Sequence, residues 1–151
     1  EWQFALGAMI GLIHDLITIV GLLSFFDLDF SLTTVAAILT LAGYSVNDTV
    51  VTYDRIRENL RKFKKMNQYD LLNKSINDIF SRTILTGLTT LLAALALFVF
   101  GGDTLRSFSF VIVWGVIVGT YSSIYVSATF LNLFDLRSKP DEKAINPFGN
   151  V

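Results

Sequence analysis

The sequence predicts an all-α membrane protein, a bundle of four transmembrane helices with an amphipathic helix on the cytoplasmic interface. Three observations support this fold class. Hydrophobic residues make up 52% of the 151-residue chain and charged residues only 17%. The mean hydropathy of +0.55 is too high for an ordinary soluble domain. The apolar residues also form long uncharged runs, as helices that cross the ~30 Å hydrocarbon core require.

Four of these runs have the length of a transmembrane helix, and they define a transmembrane domain over residues 1–136. A rise of ~1.5 Å per residue requires roughly 20 residues for each crossing. Gly101 and Gly102 follow the third run as helix-stopping residues. No charged residue lies between Arg106 and Asp135, which leaves room for the fourth. The predicted spans are residues 4–26, 32–53, 83–100 and 107–134.

The basic residues predict how the spans are oriented. The connection at 54–82 holds eight of the twelve Lys and Arg residues, whereas the linker at 27–31 holds none. Loops rich in Lys and Arg remain in the cytoplasm. We therefore expect the 54–82 loop and both ends of the chain to be cytoplasmic, which an even number of spans allows.

The segment 67–80 of this loop has the pattern of an amphipathic helix. Asn67 and Asp70 are spaced like an N-terminal cap pair, and apolar residues follow at helical spacing. We predict an interfacial helix lying on the cytoplasmic surface of the membrane. The tail at 137–151 has both prolines of the chain and mixed charge, and we predict that it is disordered.

Small residues at four-residue spacing predict close packing between the spans. Because lipid provides no hydrophobic drive for helix association, tight pairs rely on small side chains that let backbones approach. Such residues occur in the first and fourth spans, at Gly7, Gly11, Gly115, Gly119 and Ser123. This pattern indicates tight bundling and is a weak signal of function.

Asp48 is the strongest candidate for chemistry within the spans. An ionisable residue there must offset an insertion cost of roughly 2.5–3.5 kcal/mol. Tyr44, Ser45 and Thr52 share its helical face, which suits a hydrated or protein-lined interior. A carboxylate balanced between burial and a nearby cation could take up and release a proton. The alternative is a structural carboxylate bonded to neighbouring hydroxyl groups.

Three further ionisable residues are candidates, each with a structural alternative. Arg82 opens the third span and could act as a fixed positive partner for a carboxylate, or could simply reach the interface. His14 shares a face with Gly7 and Gly11, so it could relay protons near pH 7 or form an interhelical hydrogen bond. Asp15 points about 100° away from His14, so the two cannot both face one partner.

Several classes of function are excluded by composition. The net charge of −1 argues against nucleic-acid binding, which needs an excess of Lys and Arg. Zero cysteines exclude disulfides and thiolate chemistry, and a single histidine makes a metal site implausible. No nucleophile motif or phosphate-binding loop is present. We therefore expect no enzymatic activity and no cofactor.

One segment resembles a known family. Residues 43–60, GYSVNDTVVTYDRIRENL, closely resemble the signature of the SecF proteins, partners of SecD in bacterial protein export. His14-Asp15, Ser81-Arg82-Thr83 and the residues 75–77 and 88–90 are further matches. The resemblance runs from about residue 2 to 128. It implies membership of the resistance-nodulation-division superfamily and the last four of six spans.

The resemblance also implies a function. It implies that the chain lies in the bacterial inner membrane and uses proton or sodium motive force, with SecD, to draw preproteins through the Sec channel. Asp48 and Arg82 are then ion-pathway residues, and Asn47, Thr49, His14 and Asp15 are weaker candidates. The alternative is a transmembrane module that docks the complex and has no ion pathway of its own.

Overall fold

The computed structural model describes residues 2–134 and 136. Every regular element among them is helical, and four helices are long and apolar enough to cross a membrane, which confirms the predicted fold class. Three spans are single α-helices. The fourth consists of an α-helix, a π-helical turn and a short α-helix in succession. The bounds are Trp2–Phe25 for α1, Leu32–Lys62 for α2, Gln68–Phe100 for α3, Gly102–Tyr121 for α4, Ser122–Val126 for the π-helical turn and Ser127–Leu131 for α5.

The connection at 54–82 differs from the prediction. Residues 68–82 do not form a separate interfacial helix; they are the first turns of α3, and α2 likewise continues to Lys62. No proline or glycine interrupts the sequence between Gln68 and Thr83, so the helix has no reason to stop. The apolar residues Leu71 and Leu72 are buried in a cluster with Ile56 of α2 rather than left free for a membrane surface.

A helical hairpin therefore extends beyond the apolar part of α2 and α3. We call the end of the bundle that carries this hairpin the basic end, since residues 54–82 hold most of the Lys and Arg. The Gln68 side chain links it to the fourth span. Its Nε2 donates to the carbonyls of Phe134 at 2.7 Å and Leu131 at 3.3 Å, and its Oε1 accepts from the N–H of Leu136.

The connections at the opposite end are short. Ser31 begins α2 as its N-cap, with its hydroxyl accepting from the N–H of Thr34. Gly101 ends α3 with its N–H bonded to the Leu97 carbonyl at 2.8 Å. Gly102 follows with φ of +70°, a conformation that glycine adopts without strain, and α4 starts there. The predicted glycine stop after the third span is thus present.

The buried residues are arranged in three layers along the bundle. An apolar cluster at the basic end contains Phe4, Tyr53, Ile56, Leu71, Leu72 and Leu131. A second apolar cluster, at the opposite end, contains Ile19, Leu23, Ala37, Leu41, Ala94, Val111, Ile112 and Val116. Between them, each of the four spans contributes buried polar residues: Asp15, Ser45, Asp48, Thr49, Thr52, Thr83, Ser122 and Ser123. We call this middle region the polar layer.

The polar layer is a departure from ordinary core packing. Buried polar groups are costly unless they are hydrogen-bonded, and more so where lipid surrounds the helices. Two apolar clusters could have met directly, but every span is polar at this depth instead. The candidate functional site lies in this layer. The predicted tail at 137–151 lies outside the described residues.

Candidate functional site

Asp48 lies in the polar layer and is held by two other spans. Its side chain is on the inner face of α2, and the residue is 8% exposed. Thr83 of α3 donates its hydroxyl to Oδ1 at 3.3 Å, and Ser123 of the π-helical turn donates to Oδ2. Each carboxylate oxygen therefore has a hydroxyl donor from a different span. Three spans meet at one ionisable group.

Asp15 is a second buried carboxylate in the same layer. It is 4% exposed, and its Oδ2 accepts from the Ser45 hydroxyl of α2 at 2.5 Å. The His14 Nδ1 lies 3.2 Å from Oδ1, while the imidazole itself is 38% exposed. The two side chains therefore meet, although adjacent residues on a helix point in different directions. Only Asp15 enters the bundle.

The two carboxylates are connected through α2. Ser45, which bonds Asp15, precedes Asp48 by three residues and so shares its face of the helix. His14, Asp15, Ser45 and Asp48 thus extend from the half-exposed surface of α1 to the centre of the bundle. We call this set of four polar residues the polar route.

The small residues of the fourth span face this same route. A Cβ at Gly115 would overlap the Leu41 side chain, and a Cβ at Gly119 would lie 3.7 Å from the Cβ of Ser45. One turn further along, Ser123 bonds Asp48. The predicted packing series Gly115, Gly119 and Ser123 therefore lies against α2. Close packing and the carboxylate site share one interface.

The glycines of the first span are also buried at a contact. Gly7 and Gly11 are both on the inner face of α1. A Cβ at Gly7 would overlap the Tyr53 hydroxyl of α2 and lie 3.5 Å from the Phe130 ring. The first-span series thus packs on α2 and on the end of the fourth span.

Two predicted residues lie outside the polar layer. Arg82 is exposed, and no ion pair joins it to Asp48 in the described part of the chain; the neighbouring Thr83 makes that contact instead. Asn47 is also exposed, on the outer side of α2. Thr49, by contrast, is buried at 2% exposure. The sequence motif therefore includes residues on both sides of its helix.

Arg82 lies instead at an open cavity of about 520 Å³ toward the basic end. Its lining combines three basic and three acidic residues with three apolar ones: Arg55, Arg57, Arg82, Asp54, Glu58, Asp78, Val50, Val51 and Ile79. Such a lining is polar enough to hold water. On α2 the lining begins at Val50, less than one turn from Asp48, and continues to Glu58 in the hairpin.

The hairpin is held by a network centred on Asp78. Its carboxylate accepts from Arg55 at 2.9 and 3.1 Å and from the Asn59 amide at 3.1 Å. Asn59 is 1% exposed and also donates to the Ser75 hydroxyl at 2.9 Å. The Asn59 amide, together with the Arg55 guanidinium, holds the pKa of the Asp78 carboxyl below its ordinary value. Asp78 precedes the apolar part of α3, so this network lies at the basic end of the bundle.

The described residues contain no group of three or more His, Cys, Asp or Glu side chains placed to hold a metal ion. The chemistry available in the polar layer is therefore that of carboxylates, hydroxyl groups and one imidazole. These groups exchange protons and hydrogen bonds.

Comparison with known families identifies the class of protein. Residues 1–137 match the family described as protein export membrane protein SecD/SecF, C-terminal. The chain belongs to this family. The match includes all four spans and both buried carboxylates, so the architecture described above is that of a SecD/SecF C-terminal domain.

Individual SecF proteins are similar along most of the chain. The protein translocase subunit SecF of Rickettsia rickettsii is 58% identical over 134 residues, which is 89% of this chain and 44% of that protein. SecF of Rhodobacter capsulatus is 52% identical over 143 residues, which is 95% of this chain and 43% of that protein. The chain thus spans less than half the length of these relatives.

Solved SecDF structures have the same fold. The crystal structure of SecDF from Thermus thermophilus, a translocon-associated membrane protein, superposes with a TM-score of 0.85 at 43% identity. The superposition covers 91% of this chain and 19% of the SecDF chain. A second structure, SecDF in a super-membrane-facing form, gives 0.84 at 45% identity over 87% of this chain and 18% of that one. The sequence resemblance to SecF is therefore confirmed.

Sequence reasoning missed some of the groups that contact the carboxylates. Thr83 was overlooked beside the more conspicuous Arg82, and Ser123 was assigned to packing alone. Thr83 could have been found from the sequence, because it is a small polar residue next to Arg82, which was already a candidate. It also lies at the same depth in the bundle as Asp48. For Ser123 there was no such signal, because a serine in a packing series looks the same whether or not it bonds a carboxylate.

Proposed function

We propose that this chain is the membrane-embedded part of a protein-export subunit that works with SecD and couples ion movement to preprotein translocation through the Sec channel. The coupling ion is H⁺ or Na⁺, the membrane is the bacterial inner membrane, and the basic end faces the cytoplasm. The observation that supports this proposal most directly is Asp48, a buried mid-span carboxylate bonded by hydroxyl groups of two other spans.

Asp48 is suited to bind and release an ion in turn. Burial disfavours an ionised carboxylate, whereas donated hydrogen bonds favour it. Because Thr83 and Ser123 belong to α3 and the fourth span, a change in the charge of Asp48 alters contacts among three spans. The bundle can then favour different arrangements in its two charge states. Each proton that crosses 100 mV supplies ~2.3 kcal/mol for this change.

The remaining predicted residues have supporting roles in the proposal. Asp15 and His14 provide a second protonatable group beside Asp48, linked through Ser45. Arg82 lines the cavity at the basic end, where a fixed positive charge controls access of cations from that side. Thr49 is buried beside Asp48 in the motif, whereas Asn47 faces outward and would act on a neighbouring subunit.

The test uses the full-length protein with SecD and the Sec channel in membrane vesicles. Asp48→Asn removes the charge and keeps the shape, and Asp70→Asn is the control, since Asp70 is an exposed carboxylate in the first turn of α3, outside both the polar layer and the cavity that Arg82 lines. We expect Asp48→Asn to abolish the stimulation of export by a membrane potential while insertion and SecD association remain normal. Asp70→Asn should retain that stimulation.

Normal potential-dependent export in the Asp48→Asn protein would contradict the proposal. The ion is identified by energising the vesicles with a proton gradient alone and then with a sodium gradient alone. Whichever gradient drives export in the parent protein, and fails to do so in Asp48→Asn, is the coupling gradient.

A second candidate function is a transmembrane docking module without an ion pathway of its own. The observation that favours it is the outer face of α3, where Arg82, Thr86, Thr89 and Ala93 are all exposed. Small and polar residues in a span suit contact with another protein better than contact with lipid. This function predicts that bulky residues on that face abolish export through lost assembly, whereas Asp48→Asn leaves export unchanged.

A further inference from the structure

The fourth span contains an irregularity that the packing series did not predict. The spacing of Gly115, Gly119 and Ser123 indicates an uninterrupted α-helix, yet Ser122–Val126 form a π-helical turn. Such turns account for well under 1% of residues and often mark functional sites. A π-turn accommodates an extra residue in the helix. Here it brings two consecutive serines, Ser122 and Ser123, to full burial.

The two serines differ in their partners. The Ser123 hydroxyl donates to Asp48 Oδ2, and it also lies 3.1 Å from the Thr120 carbonyl oxygen of its own helix. The Ser122 hydroxyl has no hydrogen-bond partner among the described residues. One residue of the pair therefore contacts the carboxylate site and the other does not. Ser123, the residue of the π-turn that continues the Gly115–Gly119 series, is the one that contacts Asp48.

A serine hydroxyl has one proton to donate and can also accept. The Ser123 hydroxyl has two acceptors within reach, and it can bond only one of them at a time. When Asp48 is ionised, the carboxylate is the stronger acceptor, because charge-assisted hydrogen bonds exceed neutral ones. When Asp48 is protonated, the carboxyl group needs an acceptor for its own proton. Ser123 then provides one, because its hydroxyl proton can turn to the Thr120 carbonyl.

We propose that Ser123 is the positioning residue that allows Asp48 to change protonation state inside the bundle, since its hydroxyl donates to the carboxylate and accepts from the carboxyl group. The inference rests on the proposed function. In the proton step, H⁺ adds to Asp48 Oδ2 and the new O–H donates to the Ser123 oxygen. The Ser123 O–H bond stays intact and turns from Oδ2 to the Thr120 carbonyl oxygen, which becomes its acceptor. No buried group loses its partner in either state.

The other titratable groups near Asp48 set the background for a pH experiment. On α1 these are Asp15 and His14, and on α2 the group is Tyr44, whose hydroxyl lies 3.4 Å from that of Thr120. On α3 it is Arg82, whose side chain is exposed. The fourth span has no charged residue from 107 to 134. Among the described residues, the Ser123 hydroxyl bonds Asp48 and the Thr120 carbonyl and none of these groups, so a change at Ser123 should act on Asp48 first.

The experiment follows the carboxyl C=O band of protonated Asp48 by infrared difference spectroscopy in the full-length complex, with the band assigned by its loss in Asp48→Asn. Ser123→Ala removes the hydroxyl, and Ser123→Thr retains it. Ser122→Ala is the matched control, because it removes an equally buried hydroxyl that has no hydrogen-bond partner in the described part of the chain. Retention of SecD during purification shows that each variant is folded.

We expect Ser123→Ala to shift the C=O band and to raise the titration midpoint by roughly half to one pH unit, because the charge-assisted bond lost from the carboxylate is stronger than the neutral bond lost from the carboxyl group. Ser123→Thr should restore both, and Ser122→Ala should change neither. Potential-driven export at neutral pH should fall at least threefold in Ser123→Ala alone.

Three results would overturn the inference: an unchanged band and midpoint in Ser123→Ala, equal shifts in both alanine variants, or no protonated Asp48 band at any pH at which the complex stays folded. The proposed function is tested separately, by measuring export in the Asp48→Asn protein. If Asp48→Asn keeps its potential-driven export, that function fails, whereas the infrared band still decides how Ser123 acts on Asp48.

Discussion

The inner face of the fourth span and the outer face of α3 look alike in sequence but have different surroundings. Both consist of small or polar residues at helical spacing. Gly115, Gly119 and Ser123 are buried against α2, where they meet Leu41, Ser45 and Asp48. Thr86 and Thr89 of α3 are exposed, and their hydroxyl groups bond only carbonyls of their own helix, one turn back.

The difference lies in where each helix sits in the bundle. The fourth span packs against each of the other three, so its small residues bring it close to the polar layer. α3 is at the edge and uses another face, with Thr83, Gly87 and Ala94, to pack inward. A stripe of small residues therefore indicates that this face of the helix packs closely against another protein surface. It does not indicate whether that neighbour belongs to the same chain.

The largest effect on stability is expected at Gly115. A Cβ there would overlap the Leu41 side chain, which is only 3% exposed and has little room to move. Overpacking of this kind costs typically about 1–3 kcal/mol. We expect Gly115→Ala to lower the thermal midpoint of the purified protein in detergent by several degrees. An unchanged midpoint would mean that the fourth span and α2 are less closely packed than described.

Gly119→Ala should have a much smaller effect, although the two glycines are equivalent in the sequence. A Cβ at Gly119 lies 3.7 Å from Ser45 Cβ and 3.8 Å from Asp15 Oδ2, which are ordinary contacts. We expect a change within about 0.5 kcal/mol, as for substitutions that create no clash. Gly119→Leu should be as harmful as Gly115→Ala, because the longer side chain enters the polar layer. Equal effects of the two alanine variants would contradict this assignment.

Substitution on the outer face of α3 should hardly affect the stability of the chain itself. Thr89→Val keeps the shape of the side chain and removes a hydroxyl that bonds only its own helix. We expect an unchanged thermal midpoint, and Thr89→Trp should likewise leave the fold intact. Thr89→Trp should, however, reduce the amount of SecD recovered with the full-length protein. Normal recovery would mean that this face is not a subunit contact.

The smallest effect concerns the pH dependence of the hairpin that anchors α3. Since the pKa of Asp78 is lowered by its partners, its stabilising contribution is complete above the ordinary aspartate value, ~3.9, and disappears as pH falls through the lowered value. Below about pH 4, amides of the first turns of α3 should exchange faster than those of α4, as measured by hydrogen exchange with mass spectrometry. Asp78→Asn should remove the pH dependence of that difference.

The sequence predicted the fold well, because a segment that crosses the membrane must be a helix of about 20 mostly apolar residues. The number of spans, the glycine stop at 101–102 and the short linker at 27–31 are all present. The helix ends do not coincide with the predicted span ends. The helices α2 and α3 continue well beyond their apolar parts, because hydropathy detects the membrane boundary whereas the helix continues until a residue stops it.

The structure places the predicted site residues in two different surroundings. Asp48, Asp15 and Thr49 are buried in the polar layer, and His14 lies beside Asp15. Arg82 and Asn47 are exposed, and the partners of Asp48 are Thr83 and Ser123. Helical periodicity shows which residues share a face of one helix. It carries no information on the rotation of one helix relative to the next.

By itself, then, the sequence determined the membrane class, the four spans and the presence of costly charges within them, because each of these follows from the transfer of side chains between water and lipid. The tertiary structure decided which small residues meet a carboxylate, which arginine faces outward, and where the fourth span takes a π-turn. Those outcomes depend on contacts between helices, and hydroxyl groups such as those of Thr83 and Ser123 acquire their roles only when another span places Asp48 within hydrogen-bonding distance.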